Sequence, residues 1–440
     1  MDAATETEAT LAVTGGRVLD PSLSVRRTDV LVDRTAGEIL AVEDDLAGEA
    51  DETLDASGGL VIPGLVNAHC HMAMTLLRGY AAEKPLMPWL TEEVGPVEAT
   101  FGPEAVRAGT ELALVELIQS GVTAVGDMYF ETASIVEAVE QSGIRALLGF
   151  GAVTVTKDDE GAQADVDESV AVAERYDGAA DGRIRTAVMP HSLTSVEPGY
   201  LAELGERAAA AELPLHFHAN ETTGEVDPVV AEHGQRPLAF ADDRDLLRDT
   251  YVAHGVHLDD AEIELAAERG VGVAHCPAAN AKLASGIAPV QRLRDAGVTV
   301  GIGTDGPASN DTLDVFDEMR AAARVGKLAD GNAGDVTAET VVEMATAGGA
   351  DLLGFDAGRI EPGRAADLAV VDLDAPHLTP VHDPVKLLVY AATASDVRHT
   401  VADGEVVMRD REVLAFDTDA VERRAREAAH AAVERAAADE

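Results

Sequence analysis

Eight short apolar runs alternate with helical stretches between about residues 60 and 330, and this repeat restricts the folds open to the chain. Near-continuous apolar runs separated by amphipathic helices are typical of parallel strands buried on both faces. The runs are 60-LVIPGLVNAH-69, 122-VTAVGDMY-129, 145-RALLGFGAV-153, 184-IRTAVMPHS-192, 213-LPLHFHA-219, 250-TYVAHGVHL-258, 271-VGVAHCP-277 and 298-VTVGIGTD-305. The count of eight, with no glycine-rich dinucleotide fingerprint after the first run, favours an α/β fold of the (β/α)8 TIM-barrel type over an open doubly wound sheet.

The two ends of the chain follow a different pattern. Residues 11–59 and 358–415 alternate apolar and polar side chains between turns rich in Gly, Asp and Pro. Such alternation predicts short strands with one buried face. We therefore expect two domains: a small β-sandwich domain formed by residues 1–59 and 358–440, with a C-terminal helix over 419–440, and a barrel domain formed by residues 60–357.

The charge of the chain limits its partners. Asp and Glu number 80 against 33 Lys and Arg, which gives a net charge of −47. This surplus is spread along the chain and repels nucleic acids and anionic membranes, so we exclude both as partners. A protein with so many carboxylates suits a cell with high internal salt, where screening reduces their mutual repulsion.

Cysteine content and the N-terminal sequence indicate the compartment. The chain has two cysteines, Cys70 and Cys276, which are too few for a disulfide framework and fit a reducing compartment. The N-terminus, MDAATETEAT, lacks the basic region and apolar core of a signal peptide. No uncharged apolar run approaches the ~18 residues of a transmembrane helix. We expect a cytoplasmic protein.

Polar residues of metal-binding type fall at the ends of the predicted barrel strands. These ends and the loops that follow them form the active-site face of a TIM barrel. A single histidine at a strand end is usually a hydrogen-bonded core residue, but several such groups on one face predict a site. The residues are His69 and His71 after strand 1, His191 after strand 4, His218 after strand 5, His254 after strand 6 and Asp305 after strand 8.

The pair His69 and His71 provides the first metal ligands of this site. Alternate residues of a strand share a face, so both imidazoles point into the barrel mouth while Cys70 points away. Two neutral imidazoles directed at one point can hold a metal ion. His218 adds a third nitrogen to this set, and Asp305 adds an oxygen.

Glu221, three residues after His218, indicates the type of reaction. A water bound at such a metal loses a proton near neutral pH, and we expect His254 and Asp305 to hold this water and accept its proton. Glu221 would lie beside the substrate rather than on the metal. It can move a proton between the attacking hydroxide, a ring nitrogen and a leaving amine. These roles suit deamination of an aromatic ring.

Longer sequence motifs surround these residues. They are PGLVNAHCHMAMTLLRG, PLMPWL, GVTAVGDMYF, MPHS, HFHANET, VAHGVHL, HCPAANAKLASGIAPVQRL, GIGTDGPASND and GRIEPGRAADLAVVDLD. They resemble the motifs of the amidohydrolase superfamily and, within it, of the 5-methylthioadenosine/S-adenosylhomocysteine deaminases, and the resemblance covers about residues 11 to 410. HxH, HxxE and TDG in this order are specific for the superfamily, and MTLLRG and IAPVQ point to the subgroup.

The resemblance implies hydrolytic deamination of an adenosine-type nucleoside at one zinc per subunit, with ferrous iron as the other candidate metal. Relatives commonly self-associate, so it also implies a homo-oligomer. Glu98 matches a residue that grips the ribose hydroxyls, Trp89 an aromatic of the nucleoside pocket, and His191 a residue that contacts the purine. The implied zinc ligands are His69, His71, His218 and Asp305, and the implied acid–base and electrostatic groups are Glu221 and His254.

The absence of a lysine and of an arginine at two expected places refines the predicted metal content and substrate preference. Binuclear relatives bridge two metals with a carbamylated lysine, and no lysine falls at a predicted strand end, which favours a mononuclear site. Relatives that accept S-adenosylhomocysteine carry arginines after strand 3 that pair with its carboxylate. Phe150 stands where such an arginine is expected, and Lys157 is the only cation in residues 157–169. Because bidentate pairing needs arginine, we expect a preference for apolar 5′ groups, as in 5′-methylthioadenosine and 5′-deoxyadenosine.

Two other functions remain open at this point. The same scaffold deaminates free bases and pterins or removes chlorine from triazines, although Glu98 and Trp89 favour a nucleoside. A non-catalytic relative that serves as a scaffold or partner protein is the second alternative, but such proteins typically lose metal ligands, and here the set is complete. The sequence assigns no role to four residues, which are Cys70, His257, His275 and Cys276.

Overall fold

Seven short strands near the N-terminus lie outside the barrel. The computed structural model describes residues 9–81 and 83–439 of the protein. The order β5–β4–β1–β6 forms a four-stranded sheet, whereas β2, β3 and β7 belong to a second outer sheet. The seven strands are β1 (Thr10–Thr14), β2 (Arg17–Leu19), β3 (Val25–Arg27), β4 (Asp29–Asp33), β5 (Glu38–Glu43), β6 (Glu52–Asp55) and β7 (Gly59–Pro63).

Eight strand positions form the barrel in chain order. The strands are β8 (Leu65–Cys70), β9 (Val122–Tyr129), β10 (Arg145–Ala152), β11 (Ile184–Thr186), β12 (Met189–Pro190), β13 (Leu215–Ala219), β14 (Thr250–His254), β15 (Gly272–His275) and β16 (Val300–Ile302). Neighbouring strands pair in parallel, and β11 and β12 share the fourth position beside β10. Bridges between Ser192 and His218 and between Cys70 and Asp305 join the two halves. The prediction of an α/β fold of the TIM-barrel type is confirmed.

Four strands near the C-terminus complete the second outer sheet. They are β17 (Leu368–Asp372), β18 (Val397–Ala402), β19 (Glu405–Arg409) and β20 (Glu412–Val413). The sheet has the order β20–β19–β18–β17–β7–β2–β3, so both ends of the chain contribute to it. Val13 and Val32 of the first outer sheet pack in one apolar cluster with Val61 and Val370 of the second. One face of each outer sheet lies in this cluster. The prediction of a single buried face was wrong for β7 and β17, because their other faces pack into the largest apolar cluster of the molecule.

Helices lie between the barrel strands and after the last of them. They are α1 (Leu86–Pro88), α2 (Gly95–Glu98), α3 (Pro103–Gln119), α4 (Thr132–Ser142), α5 (Asp159–Tyr176), α6 (Pro198–Ala211), α7 (Thr223–His233), α8 (Pro237–Asp242), α9 (Asp260–Arg269), α10 (Pro277–Lys282), α11 (Val290–Asp295), α12 (Pro307–Asn310), α13 (Val315–Asp330), α14 (Ala338–Glu343), α15 (Gly349–Leu353), α16 (Pro384–Tyr390) and α17 (Thr418–Asp439). Asp259 and Glu262 form a capping box that starts α9. The helix predicted over 419–440 corresponds to α17, and residue 440 lies outside the described residues.

Short helical turns of other kinds complete the secondary structure. The 3-10 segments are Leu46–Glu49, Met72–Leu77, Pro376–Leu378 and Ala394–Asp396, and the π-helical turns are Trp89–Val94 and Met344–Gly348. Across the described ranges, none of the helices combines the length and the apolar character needed to cross a bilayer.

Two predicted strands are interrupted, so the prediction of one continuous strand in each run was wrong. The run 60–69 divides at Gly64, where β7 leaves the outer sheet and β8 enters the barrel. A β-carbon at Gly64 would lie 2.1 Å from Oγ1 of Thr123, so the chain can pass this point only as glycine. The run 184–192 breaks between β11 and β12, where the backbone N–H of Val188 donates to the carbonyl of Pro214.

Candidate functional site

Four side chains of metal-ligand type converge where β8, β13 and β16 end. His69 lies in β8, His71 directly follows it, His218 lies in β13, and Asp305 follows β16. One ligand atom of each residue lies within 4.8 Å of the others. Nε2 of His71 lies 3.3 Å from Nε2 of His218 and 3.2 Å from Oδ1 of Asp305, and Nε2 of His69 lies 3.4 Å from the same oxygen. The structure brings these four residues together, and we call them the metal-ligand group.

Backbone carbonyls fix the direction in which two of these imidazoles face. Nδ1 of His71 lies 2.7 Å from the carbonyl oxygen of Met128, and Nδ1 of His218 lies 2.7 Å from that of His191. A carbonyl oxygen only accepts hydrogen bonds, so both Nδ1 atoms carry the hydrogen in the neutral ring. Both Nε2 atoms then present lone pairs to the same point, where a cation would satisfy them.

The metal-ligand group fits a divalent metal. Ligand atoms that share one zinc at bonds of about 2.0–2.1 Å to nitrogen lie roughly 3 Å apart, and the separations of 3.2, 3.3 and 3.4 Å given above are of that size. Nε2 of His69 is buried and has no hydrogen-bond partner among the described residues. Oδ2 of Asp305 accepts a hydrogen bond from the Ser309 hydroxyl at 2.5 Å, which leaves Oδ1 directed at the centre. Three imidazole nitrogens and one carboxylate oxygen suit zinc or ferrous iron.

Burial and the Asp305 carboxylate shift the pKa values of His69 and His71 in opposite directions. Burial lowers the pKa of His69 to about 3, so this ring is neutral. Burial also disfavours the charged form of His71, but the hydrogen-bonded Asp305 carboxylate outweighs it and raises the pKa of His71 to about 9. Burial opposes ionisation of Asp305 too, yet the adjoining imidazoles of His69 and His71 hold its pKa well below the usual value. The centre therefore favours positive charge beside Asp305.

Glu221 and His254 face each other beside the metal-ligand group. Oε2 of Glu221, just after β13, lies 3.8 Å from Nε2 of His254 at the end of β14. Nδ1 of His254 lies 2.9 Å from Oδ1 of Asn280, which holds the ring in place. Burial raises the pKa of Glu221 and so favours its protonated form. His254 and Asp305 have φ values of +71° and +60°, a backbone strain that recurs at functional sites.

Glu98 is linked to the metal-ligand group through Tyr129, a residue that sequence reasoning missed. Glu98 lies in α2, and its Oε1 accepts a hydrogen bond from the Tyr129 hydroxyl at 2.6 Å. The centroid of the Tyr129 ring lies 6.5 Å from that of His71. Burial raises the pKa of Glu98, and the bond from Tyr129 opposes this shift. Tyr129 ends the predicted strand 122–129, and this strand-end position was the signal that could have identified it.

The other predicted substrate contacts, His191, Phe150 and Trp89, differ in their burial and in their neighbours. The ring of His191 has its centroid 4.7 Å from that of His218, and burial lowers the pKa of His191 to about 4. Phe150 is half-buried in β10 and pairs in register with Tyr129 of β9. Trp89 is 3% exposed within the largest apolar cluster, and its indole N–H donates to a backbone carbonyl at 3.4 Å. These contacts are those of a packed aromatic, so a pocket role for Trp89 stays a prediction.

The residues without an assigned role have mainly packing contacts. Nε2 of His257 lies 2.8 Å from the carbonyl oxygen of Ser285. Cys70 and Cys276 are free, buried thiols, and Cys70 lies outside the metal-ligand group. His275 ends β15, is buried, and has an Nδ1 atom without a hydrogen-bond partner within the part of the chain that the structure describes.

Similarity to known sequences and structures identifies the family of the chain. The family described as "Amidohydrolase family" matches residues 60–407. The chain is 63% identical over 432 residues to a 5-methylthioadenosine/S-adenosylhomocysteine deaminase of Natronomonas pharaonis, covering 98% of this chain and 100% of that protein. It is 41% identical over 401 residues to a 5′-deoxyadenosine deaminase of Methanosarcina acetivorans, covering 91% and 93% of the two chains. It also resembles the crystal structure of an adenosine deaminase from Xanthomonas campestris with bound zinc, at a TM-score of 0.90 and 37% identity over 96% of this chain and 98% of the other.

Proposed function

Because this chain belongs to the amidohydrolase family and, within it, to the 5-methylthioadenosine/S-adenosylhomocysteine deaminases, we propose that it deaminates adenosine-type nucleosides to the inosine analogue and ammonia. It is a metal-dependent hydrolase that acts on a C–N bond. One observation carries the proposal: the buried carboxyl of Glu221 lies next to His254 at the metal-ligand group. That pairing supplies the proton transfers that loss of a ring amine requires.

The residues around the metal-ligand group perform these transfers in order. A divalent metal held there supplies Lewis acidity and lowers the pKa of a bound water. His254 or Asp305 accepts a proton as the water oxygen adds to the ring carbon that carries the amine, and Glu221 donates its proton to the ring nitrogen. The ionised Glu221 then moves the hydroxyl proton to the amine, the C–N bond breaks and ammonia leaves. The proton taken from water returns to Glu221, whose Oε2 lies 3.8 Å from His254.

We propose one zinc per subunit. The three nitrogens and one oxygen of the metal-ligand group support a mononuclear site, as does the absence of lysine from the predicted barrel strand ends in the sequence. The adenosine deaminase from Xanthomonas campestris holds zinc, which supports this metal. Ferrous iron is the second candidate because it accepts the same ligands.

The preferred substrates in this proposal carry an apolar or small 5′ group. Phe150 occupies β10 beside Tyr129, and Nζ of Lys157 already pairs with Oδ1 of Asp165 at 2.6 Å. A substrate carboxylate therefore meets no free arginine in residues 153–169, whose sequence contains none. The 5′-deoxyadenosine deaminase of Methanosarcina acetivorans supports a small 5′ group. We accordingly rank 5′-methylthioadenosine and 5′-deoxyadenosine above S-adenosylhomocysteine.

The alternative is a deaminase of free bases or pterins, or a triazine chlorohydrolase, on the same fold. Such substrates have no ribose, so they leave the Glu98 carboxylate without a ligand. The hydrogen bond from Tyr129 to Oε1 of Glu98 leaves its other oxygen available, which favours a nucleoside. The 63% identity to a nucleoside deaminase also weighs against this alternative.

Ammonia release by the purified protein in molar salt tests the proposal. We expect turnover of 5′-methylthioadenosine, 5′-deoxyadenosine and adenosine, with S-adenosylhomocysteine slower by at least about 10-fold because its carboxylate lacks an arginine partner. Guanine, cytosine and a chlorotriazine serve as comparison substrates. Turnover of a free base without turnover of any adenosine would overturn the nucleoside assignment, and equal rates with S-adenosylhomocysteine would overturn the role of Phe150.

A Glu98→Ala variant is expected to separate nucleosides from free bases. Loss of a charge-assisted hydrogen bond to a ribose hydroxyl costs about 1.5–3 kcal/mol, which lowers kcat/KM for adenosine roughly 10- to 150-fold. Any slow deamination of adenine should be unaffected, because adenine lacks the ribose. Tyr129→Phe is the matched milder change, since it removes only the bond that orients Glu98. If Glu98→Ala leaves the kinetics of adenosine unchanged, Glu98 does not bind ribose.

We also propose the domain division and cellular context predicted from the sequence. The division comprises residues 1–59 with 358–440 as a small β-sandwich domain and 60–357 as the barrel. The paired outer sheets support a small domain built from both ends of the chain, and their strand β7 extends it to Pro63. The two free cysteines support a cytoplasmic location. A homo-oligomer, without nucleic acid or membrane partners, completes the proposal, and the net charge of −47 supports the exclusion of both partners.

A further inference from the structure

His216 is a buried histidine that the proposed reaction does not use. It lies in β13, two residues before His218, so both side chains point to the same face of the strand. His216 is 1% exposed, and its ring stacks on that of Tyr251 with the centroids 3.9 Å apart. Nε2 of His216 lies 2.8 Å from Nδ1 of His69. His216 therefore contacts His69 at the ring nitrogen that faces away from the other metal ligands.

The contacts of His216 determine which of its ring nitrogens donates a hydrogen bond and which accepts one. Its Nδ1 lies 3.0 Å from the carbonyl oxygen of Tyr251, which can only accept, so Nδ1 of His216 carries the hydrogen. A neutral imidazole, buried and stacked on an aromatic ring as this one is, has one donor and one acceptor nitrogen, so Nε2 of His216 is the acceptor. Nδ1 of His69 must then donate to it. This leaves the lone pair of His69 on Nε2, the atom that lies 3.4 Å from Oδ1 of Asp305.

The three histidines of the metal-ligand group differ in what holds their tautomer. His71 and His218 donate directly to backbone carbonyls, which no side-chain substitution removes. Within the described part of the chain, His69 reaches the backbone only through the imidazole of His216. The tautomer of His69 therefore depends on the identity of one side chain.

We propose that His216 is a positioning residue that holds His69 in the tautomer able to bind the metal. Without an acceptor at this place, the Nδ1 hydrogen of His69 stays buried and unpaired, or it moves to Nε2 and occupies the lone pair that the metal needs. Outer partners of this kind typically contribute 10- to 100-fold to metal affinity. The inference rests on the metal site of the proposed function and not on its substrate.

A pair of variants that differ by one methylene tests this role. In His216→Gln the side-chain amide reaches the place of Nε2 and can still accept from His69, whereas in His216→Asn it is too short. Competition with a chromophoric chelator gives the Zn²⁺ affinity of each protein without substrate. We expect zinc binding of the Asn variant to weaken by about 10- to 100-fold and that of the Gln variant to stay within about 3-fold of wild type.

His399→Asn is the matched control for loss of a buried histidine. His399 is 3% exposed in β18 of the outer sheet, so this variant should bind zinc as wild type does. Circular dichroism of the metal-free proteins checks that each variant is folded. If His216→Asn does not fold, His216→Phe, which fills the site without an acceptor, takes its place. Wild-type affinity in the acceptor-free variant, or equal weakening in the Gln variant, would overturn the proposal. Absence of deaminase activity would leave it standing.

Discussion

A His218→Asn variant is expected to bind zinc far more weakly than the wild-type protein and to release ammonia from adenosine substrates at least about 10³-fold more slowly. Nε2 of His218 lies 3.3 Å from Nε2 of His71, so the substitution removes one of four converging ligand atoms. Without the metal, the attacking water has a pKa of 15.7 rather than about 7, and almost no nucleophile forms near neutral pH. Metal content by mass spectrometry and ammonia release measure the two effects.

The control for this prediction is a histidine near the end of β14 that lies outside the metal-ligand group. His257 bonds to the carbonyl oxygen of Ser285, so His257→Asn should keep both its metal and most of its activity. Wild-type protein stripped by a chelator should lose turnover and regain it when zinc or ferrous iron is added, and the better of the two identifies the metal. A folded His218→Asn protein with a full complement of zinc and normal turnover would show that His218 is not a ligand.

Strand parity explains why the metal-ligand group could be predicted from the sequence. His69 and His71 alternate along one strand, and the face that they share leads to the barrel mouth whatever the exact register. Eight apolar runs bring their ends to one face, so His218 and Asp305 could be placed there without any knowledge of packing. The same parity, in 216-HFH-218, places His216 on the face of β13 that carries His218.

Contacts between distant segments could not be predicted in this way. Tyr129 meets Glu98 across 31 residues of sequence, and Asn280 meets His254 across 26. Such pairs depend on how loops fold back over the barrel. The division of 60–69 at Gly64 has a similar origin, because the apolar run is continuous in the sequence and only the contact with Thr123 shows where it changes sheet. Strand periodicity carries no information about either.

Glu221→Gln is expected to lower kcat for adenosine substrates by about 10²–10⁴-fold while the protein keeps its zinc. Glutamine preserves the shape of the side chain but cannot give up or take a proton. Glu221 stands outside the metal-ligand group, so metal content should not change. Substrate affinity should also be nearly unchanged, which places the loss in kcat rather than in KM. Ammonia release, zinc content and binding of an inosine-type product together separate these effects.

The same substitution is expected to stabilise the fold. Burial raises the pKa of Glu221, so the folded protein holds a proton that the unfolded chain releases above the ordinary glutamate pKa near 4.5. The folded state therefore loses stability relative to the unfolded state as the pH rises from that value, and glutamine removes this loss. Thermal unfolding of metal-free protein should show a variant that gains over wild type as the pH rises from 4.5 towards 7. If the variant is inactive but gains no thermal stability with pH, the pKa of Glu221 is not raised by burial. If the variant is fully active, Glu221 does not transfer protons in the reaction.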